Sequence, residues 1–97
     1  IVAEAHESLI LQMSLLFQTI TDSLSNTQVN FLKALICGER QLSSAETLQS
    51  YHLGSSANIT RIREALVSRE IIEVQMKEYV FLDPVYKFWL KKFYFRV

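Results

Sequence analysis

A chain of 97 residues is one domain's worth, and its 49% apolar content excludes a disordered tail. Ten basic residues cancel ten acidic ones, so the charge balance gives no global pull toward nucleic acid. Two Gly and one Pro argue against a turn-dense β-sandwich, and no apolar run approaches the roughly 20 residues of a membrane span.

The chain opens Ile1-Val2-Ala3 rather than with Met, and lacks the basic flank and cleavage site of a secretory signal. It reads as a fragment of a larger cytoplasmic protein. Cys37 is alone, so no intramolecular disulfide can form, which fits a reducing compartment. On the apolar side of a helix, Cys37 is expected to be a small core residue.

Residues 1–24 read as a first helix, with Leu9, Met13, Leu16, Phe17, Ile20 and Leu24 in one stripe at spacings of three and four. Leu11 and Leu15 fall on another side. They are either scattered surface leucines or a contact surface, for a region of the parent protein or for a second copy of the chain. Ser25 and Gln28 fit a capping box that opens a second helix, with Val29, Leu32 and Ile36 as its core stripe and Phe31 and Leu35 alongside. Gly38 is its natural stop, and Leu42 follows as a short extended residue.

Ser43 and Glu46 fit a second box, opening a short third helix with Ala45 and Leu48 inward and Gly54 at its end. Ser55 and Ser56 cap a fourth helix, with Ile59, Ile62 and Leu66 inward, and the connection around Gly54 suits a helix-turn-helix corner. After Glu70 the period changes. Ile72–Met76 alternates as a half-buried strand, Lys77-Glu78 is a polar break, and Tyr79–Leu82 is a second strand. Asp83 and Pro84 then start a last helix, with Val85, Tyr86, Trp89, Leu90 and Phe93 on a broad apolar sector.

This order predicts a mostly α, α+β fold. It is a winged helix-turn-helix over residues 25–82, with an extra N-terminal helix and a C-terminal helix over 83–97, all in one domain. The run Tyr51–Ile62, the opening Gln28–Leu35 and the close Phe81–Leu90 also resemble the C-terminal winged helix of archaeal-type P-loop ATPases of the STAND class, common in archaea and Bacteroides-like bacteria. That resemblance covers nearly the whole chain and implies a parent with an ATP-binding domain. It carries no nucleotide site here, because the sequence contains no G-x-x-x-x-G-K-[ST] and two isolated glycines cannot cradle phosphate.

Catalytic readings are weak. His52 precedes Ser55 by three residues, but Ser55 is better explained as a cap. His6, His52 and Cys37 have no metal-ligand spacing, so the fragment is expected to be non-catalytic and to hold no cofactor or metal.

Double-stranded DNA is the first candidate partner. With Ile59, Ile62 and Leu66 inward, the fourth helix turns Ala57, Thr60, Arg61, Glu64 and Ser68 outward, with Ser56 and Arg63 on a flank. Arg61 is long enough to fork onto a guanine edge or a phosphate. Ser55, Ser56 and the free amides at the helix start suit a phosphate, and Lys77 falls at the wing tip. Glu64, mid-face, opposes phosphate. The alternative is a protein-interaction or autoregulatory module, docking on the parent ATPase domain or a partner through Leu11, Leu15 and Phe88, or forming a homodimer through the first helix. No membrane partner is expected. The aromatic C-terminal residues are expected to pack the last helix rather than stack bases.

The zero net charge hides an asymmetry. Residues 1–58 carry two basic and five acidic residues, and residues 59–97 carry eight basic and five acidic. The fourth helix, the hairpin and the last helix all lie in the positive half.

Overall fold

The computed structural model describes the backbone of residues 2–97 and the side chains of residues 11–97. Five helices and one hairpin follow in order: α1 (Val2–Asp22), α2 (Asn26–Ile36), α3 (Ala45–Ser50), α4 (Ser56–Ser68), β1 (Ile72–Gln75), β2 (Glu78–Phe81) and α5 (Pro84–Trp89). A π-helical turn, Leu90–Tyr94, continues α5. The strands pair antiparallel, Ile72 opposite Phe81 and Gln75 opposite Glu78. This is a winged helix-turn-helix in the predicted α+β class, flanked by a helix at each end.

Local chemistry sets the boundaries. At Ser25 both arms of the capping box form: the Gln28 amide donates to Ser25 Oγ at 3.3 Å, and the Ser25 amide donates to Gln28 Oε1 at 3.0 Å. Asp83 Oδ1 accepts from the amides of Val85 (2.9 Å) and Tyr86 (3.4 Å), with Pro84 as the first helical residue. Gly38, at φ 84°, ends α2, and the Glu39 amide closes the turn on Ala34 O at 3.1 Å.

Several boundaries differ from the sequence expectation. The first helix ends at Asp22 rather than residue 24, and the last helical run ends at Tyr94 rather than residue 97. The strands run Ile72–Gln75 and Glu78–Phe81 rather than Ile72–Met76 and Tyr79–Leu82. The cap of α3 is Ser44, whose hydroxyl accepts from the Thr47 amide at 3.3 Å, so the Ser43–Glu46 box does not form. Between two adjacent serines, the choice falls to the turn in which the Ser44 amide donates to Gln41 O at 3.1 Å. Leu42 sits inside that turn, buried, rather than extended. At the other end, His52 (φ 55°) takes the left-handed position that stops α3, with the Leu53 amide donating to Leu48 O at 2.9 Å. Gly54 follows two residues later, at φ 85°, inside the corner.

The core gathers Phe17 from α1, Leu24 from the turn after it, Phe31 and Leu32 from α2, Leu42 and Leu53 from the loops, and Ile59, Ile62 and Leu66 from α4. Ile72 adds the hairpin, and Tyr86, Trp89 and Leu90 add the last helix. Burying one such large apolar side chain favours the fold by about 2 kcal/mol. Phe17 packs on both Tyr86 and Trp89, with ring centroids 5.1 and 5.7 Å away. The Thr21 and Tyr86 hydroxyls meet at 2.7 Å, and Trp89 Nε1 donates to Ser14 Oγ at 3.1 Å. These polar contacts fix how the last helix lies along α1.

Several inward assignments are corrected. Leu16 is exposed, because the α1 face that meets the last helix centres on Phe17 and Thr21; Leu9 lies outside the described side chains. On α2, Phe31, Leu32 and Ala34 are fully covered, while Val29 and Ile36 are half-buried. Ala45 is exposed and Thr47 is buried in its place, following the shift of the cap to Ser44. Cys37, as the C-cap of α2, is exposed rather than in the core. Val74 is exposed because only the first residue of β1 reaches the helices. Val85 and Phe93 are likewise exposed, so the buried sector of the last helix narrows to Tyr86, Trp89 and Leu90.

Candidate functional site

The outward face of α4 forms as the helical period requires. With Ile59, Ile62 and Leu66 buried, Ser56, Ala57, Thr60, Arg61, Glu64 and Ser68 are exposed together. Ser55 is the N-cap, and its hydroxyl accepts from the Asn58 amide at 3.3 Å. The same hydroxyl keeps a proton to donate outward. Asn58 in turn donates from Nδ2 to Leu53 O at 2.9 Å, which fixes the corner between α3 and α4. The α4 face therefore stands on a braced turn.

Arg63 does not join that face. Its guanidinium lies 4.8 Å over the Tyr79 ring, on the second strand of the hairpin. Its Nε is buried without a hydrogen-bond partner. Tyr79 also meets Phe31 edge-on, with centroids 6.4 Å apart. Arg63, Tyr79 and Phe31 thus stack from α4 through the hairpin to the core. The helical wheel correctly put Arg63 on a flank. It could not show that Tyr79, sixteen residues later in sequence, covers that flank.

The hairpin tip is Met76-Lys77, both left-handed at φ 50° and φ 68°. Two consecutive residues in that region make a type I′ turn, which is more cheaply filled by Asn-Gly. Met76 is 97% exposed. Lys77 is exposed beside it; the break expected at Lys77-Glu78 falls one residue earlier, because Gln75 pairs with Glu78 and closes the two-residue turn on Met76 and Lys77.

Between the hairpin tip and the α2–α3 loop lies an open cavity of about 500 Å³, lined in part by Arg40, Leu42, Arg63, Met76, Lys77 and Tyr79. Arg40, Arg63 and Lys77 set three cations there against the carboxylates of Glu39 and Glu78. Arg40 escaped the sequence reading, because a single basic residue in a helix–helix loop has no spacing that marks it.

Nearby, the Tyr51 hydroxyl donates to Glu39 Oε1 at 3.3 Å. Hydrogen bonding with Cys37, then burial and the neighbouring charges of Cys37 and Glu39, push the Tyr51 phenol up to about 12.

Leu11, Leu15 and Phe88 lie away from α4 on other elements, and all three are exposed, as expected. Among the described residues no three His, Cys, Asp or Glu side chains gather as a metal site. No helix among them is long and apolar enough to cross a membrane.

The family described as "Probable winged helix domain" matches residues 15–92, four-fifths of the chain, and the chain belongs to that family. No curated protein and no solved structure matches the chain.

Proposed function

We propose that this winged-helix domain is a non-catalytic module that binds double-stranded DNA, with α4 in the major groove and Lys77 on the backbone beside it. One observation carries the reading. The polar outer strip of α4 is exposed from Ser56 to Ser68 on a corner braced by Asn58, with Arg61 at its centre. Arg61 supplies a fork for a guanine edge or a phosphate, and Ser55 and Ser56 supply hydroxyl donors at the helix start. Arg63 acts behind the face, holding the hairpin to the helix through Tyr79.

Glu64 and the near-neutral cleft at the hairpin tip point to modest affinity that depends on few phosphate contacts. Titration of the 97-residue chain against mixed-sequence duplex tests this. Binding is expected at low salt and should weaken steeply as salt rises, with Arg61→Ala weaker throughout. No binding at low salt overturns the reading.

The exposure of Leu11, Leu15 and Phe88 favours a second reading, a protein-interaction module. The resemblance to STAND-class ATPases makes the parent's ATPase domain the partner on that reading. Pull-down of a separately expressed ATPase region by this chain, lost in Phe88→Asp, is its test.

A further inference from the structure

The open cavity between the hairpin tip and the α2–α3 loop is set apart by where its cations come from. Arg40 lines it from the loop, Arg63 from the flank of α4 and Lys77 from the hairpin tip. These residues are far apart in the chain, so tertiary packing alone brings their charges round one space. That space is about 500 Å³, within the size range of small-molecule sites. Leu35 and Leu42 form part of its wall, and apolar walls strengthen the field of the cations beside them.

Arg63 is the group that an anion would stabilise most. Its guanidinium is held 4.8 Å over the Tyr79 ring, and its Nε is buried with no hydrogen-bond partner. A charge withdrawn from water is costly until a counter-charge meets it. Two carboxylates also line the cavity. Glu39 accepts from the Tyr51 hydroxyl at 3.3 Å, and Glu78 is exposed on the strand that carries Tyr79. Three cations against two carboxylates leave one positive charge over, which favours an anion.

The placement of the donors selects the kind of anion. A carboxylate has two oxygens in one plane, suited to a single guanidinium fork. A phosphate group presents oxygens in several directions and accepts from donors that arrive on different sides. We propose that the cavity binds one phosphate group, held by Arg40, Arg63 and Lys77. The phosphate belongs either to a DNA backbone or to a small phosphorylated molecule. Arg61 and the outward strip of α4 do not line the cavity, so the site does not depend on duplex binding by that strip.

Nuclear magnetic resonance titration of the 97-residue chain with inorganic phosphate, at constant ionic strength balanced by chloride, tests it. The side-chain Nε–H signals of Arg40 and Arg63 and the Lys77 amide are expected to move and saturate. Arg40→Ala should weaken the titration about threefold, as the loss of one exposed charge contact does. Lys91→Ala removes the same charge outside the cavity and should leave the titration unchanged. Both side chains are exposed, so the circular dichroism of both variants should match wild type.

A short duplex added in place of phosphate separates the two sources. Movement of the same cavity signals assigns the phosphate to a DNA backbone. Movement of those signals with inorganic phosphate alone assigns it to a small phosphorylated molecule. A duplex that moves no signal anywhere overturns the DNA reading of α4, while the phosphate titration still decides the cavity. Cavity signals that move with neither probe beyond their response to chloride overturn the inference. So does a titration that Arg40→Ala leaves unchanged, or that Lys91→Ala weakens equally.

Discussion

The Arg63 guanidinium lies 4.8 Å over the Tyr79 ring and joins α4 to the hairpin. A cation over an aromatic face in a partly desolvated setting favours the fold by about 1 kcal/mol. Arg63→Ala is expected to cost about that much in urea denaturation and to speed amide exchange in residues 72–81. Arg61→Ala, at an exposed position, should fall within about 0.5 kcal/mol of wild type. Equal stability of the two variants would show that the Arg63 contact carries no energy.

The hairpin tip places Met76 and Lys77 in left-handed backbone, which costs a non-glycine residue about 1 kcal/mol. Met76→Asn with Lys77→Gly supplies the residues this turn favours and should raise the melting temperature by a few degrees. The same change removes a cation from the proposed DNA surface. A more stable chain with weaker duplex binding is the expected pair of results. Unchanged binding would remove Lys77 from the interface.

Two glycines with the same backbone sign differ in what surrounds them. A Cβ at Gly54 would stand 3.3 Å from Asn58 Nδ2, the group that donates to Leu53 O, whereas a Cβ at Gly38 would meet nothing within 4 Å. Both Ala substitutions carry the cost of a positive φ, about 1 kcal/mol. Gly54→Ala adds the disturbance of the corner bond and should destabilise the chain more in thermal melts. It should also weaken DNA binding, because that corner sets the start of α4.

Alkaline pH should loosen the fold through two tyrosines. The Tyr51 phenol is raised from 10.0 to about 12, and burial raises Tyr86 as well, with Thr21 hydrogen bonding opposing it. A raised value in the folded state means that the folded chain holds protons the unfolded chain has released. Stability is therefore fully present below 10 and is lost as pH climbs through 10 toward 12. The urea midpoint should be level below about pH 9 and fall above it. Tyr51→Phe, which keeps the half-buried ring, should flatten that fall.

Several features of the chain are decided among neighbouring residues and are therefore legible along it. The Ser25–Gln28 box, the Asp83-Pro84 start, the Gly38 stop and the hairpin around Lys77 each depend on a few consecutive side chains and their own backbone. The buried stripe of α4 was legible for the same reason, and it defined the outward face that holds Arg61. Where two local solutions were nearly equal, the loop chose: Ser44 over Ser43, and His52 as the residue that stops α3. Which side of each element its neighbours cover follows from packing between distant parts of the chain. Tyr79 lies across Arg63, and the last helix meets α1 at Ser14, Phe17 and Thr21. Leu16, Val85 and Phe93 are left outside, and Cys37 ends at the surface as a cap. Helical period gives each residue an angle around its own axis. Burial also depends on where the other helices stand, and contacts between residues far apart in the chain set that.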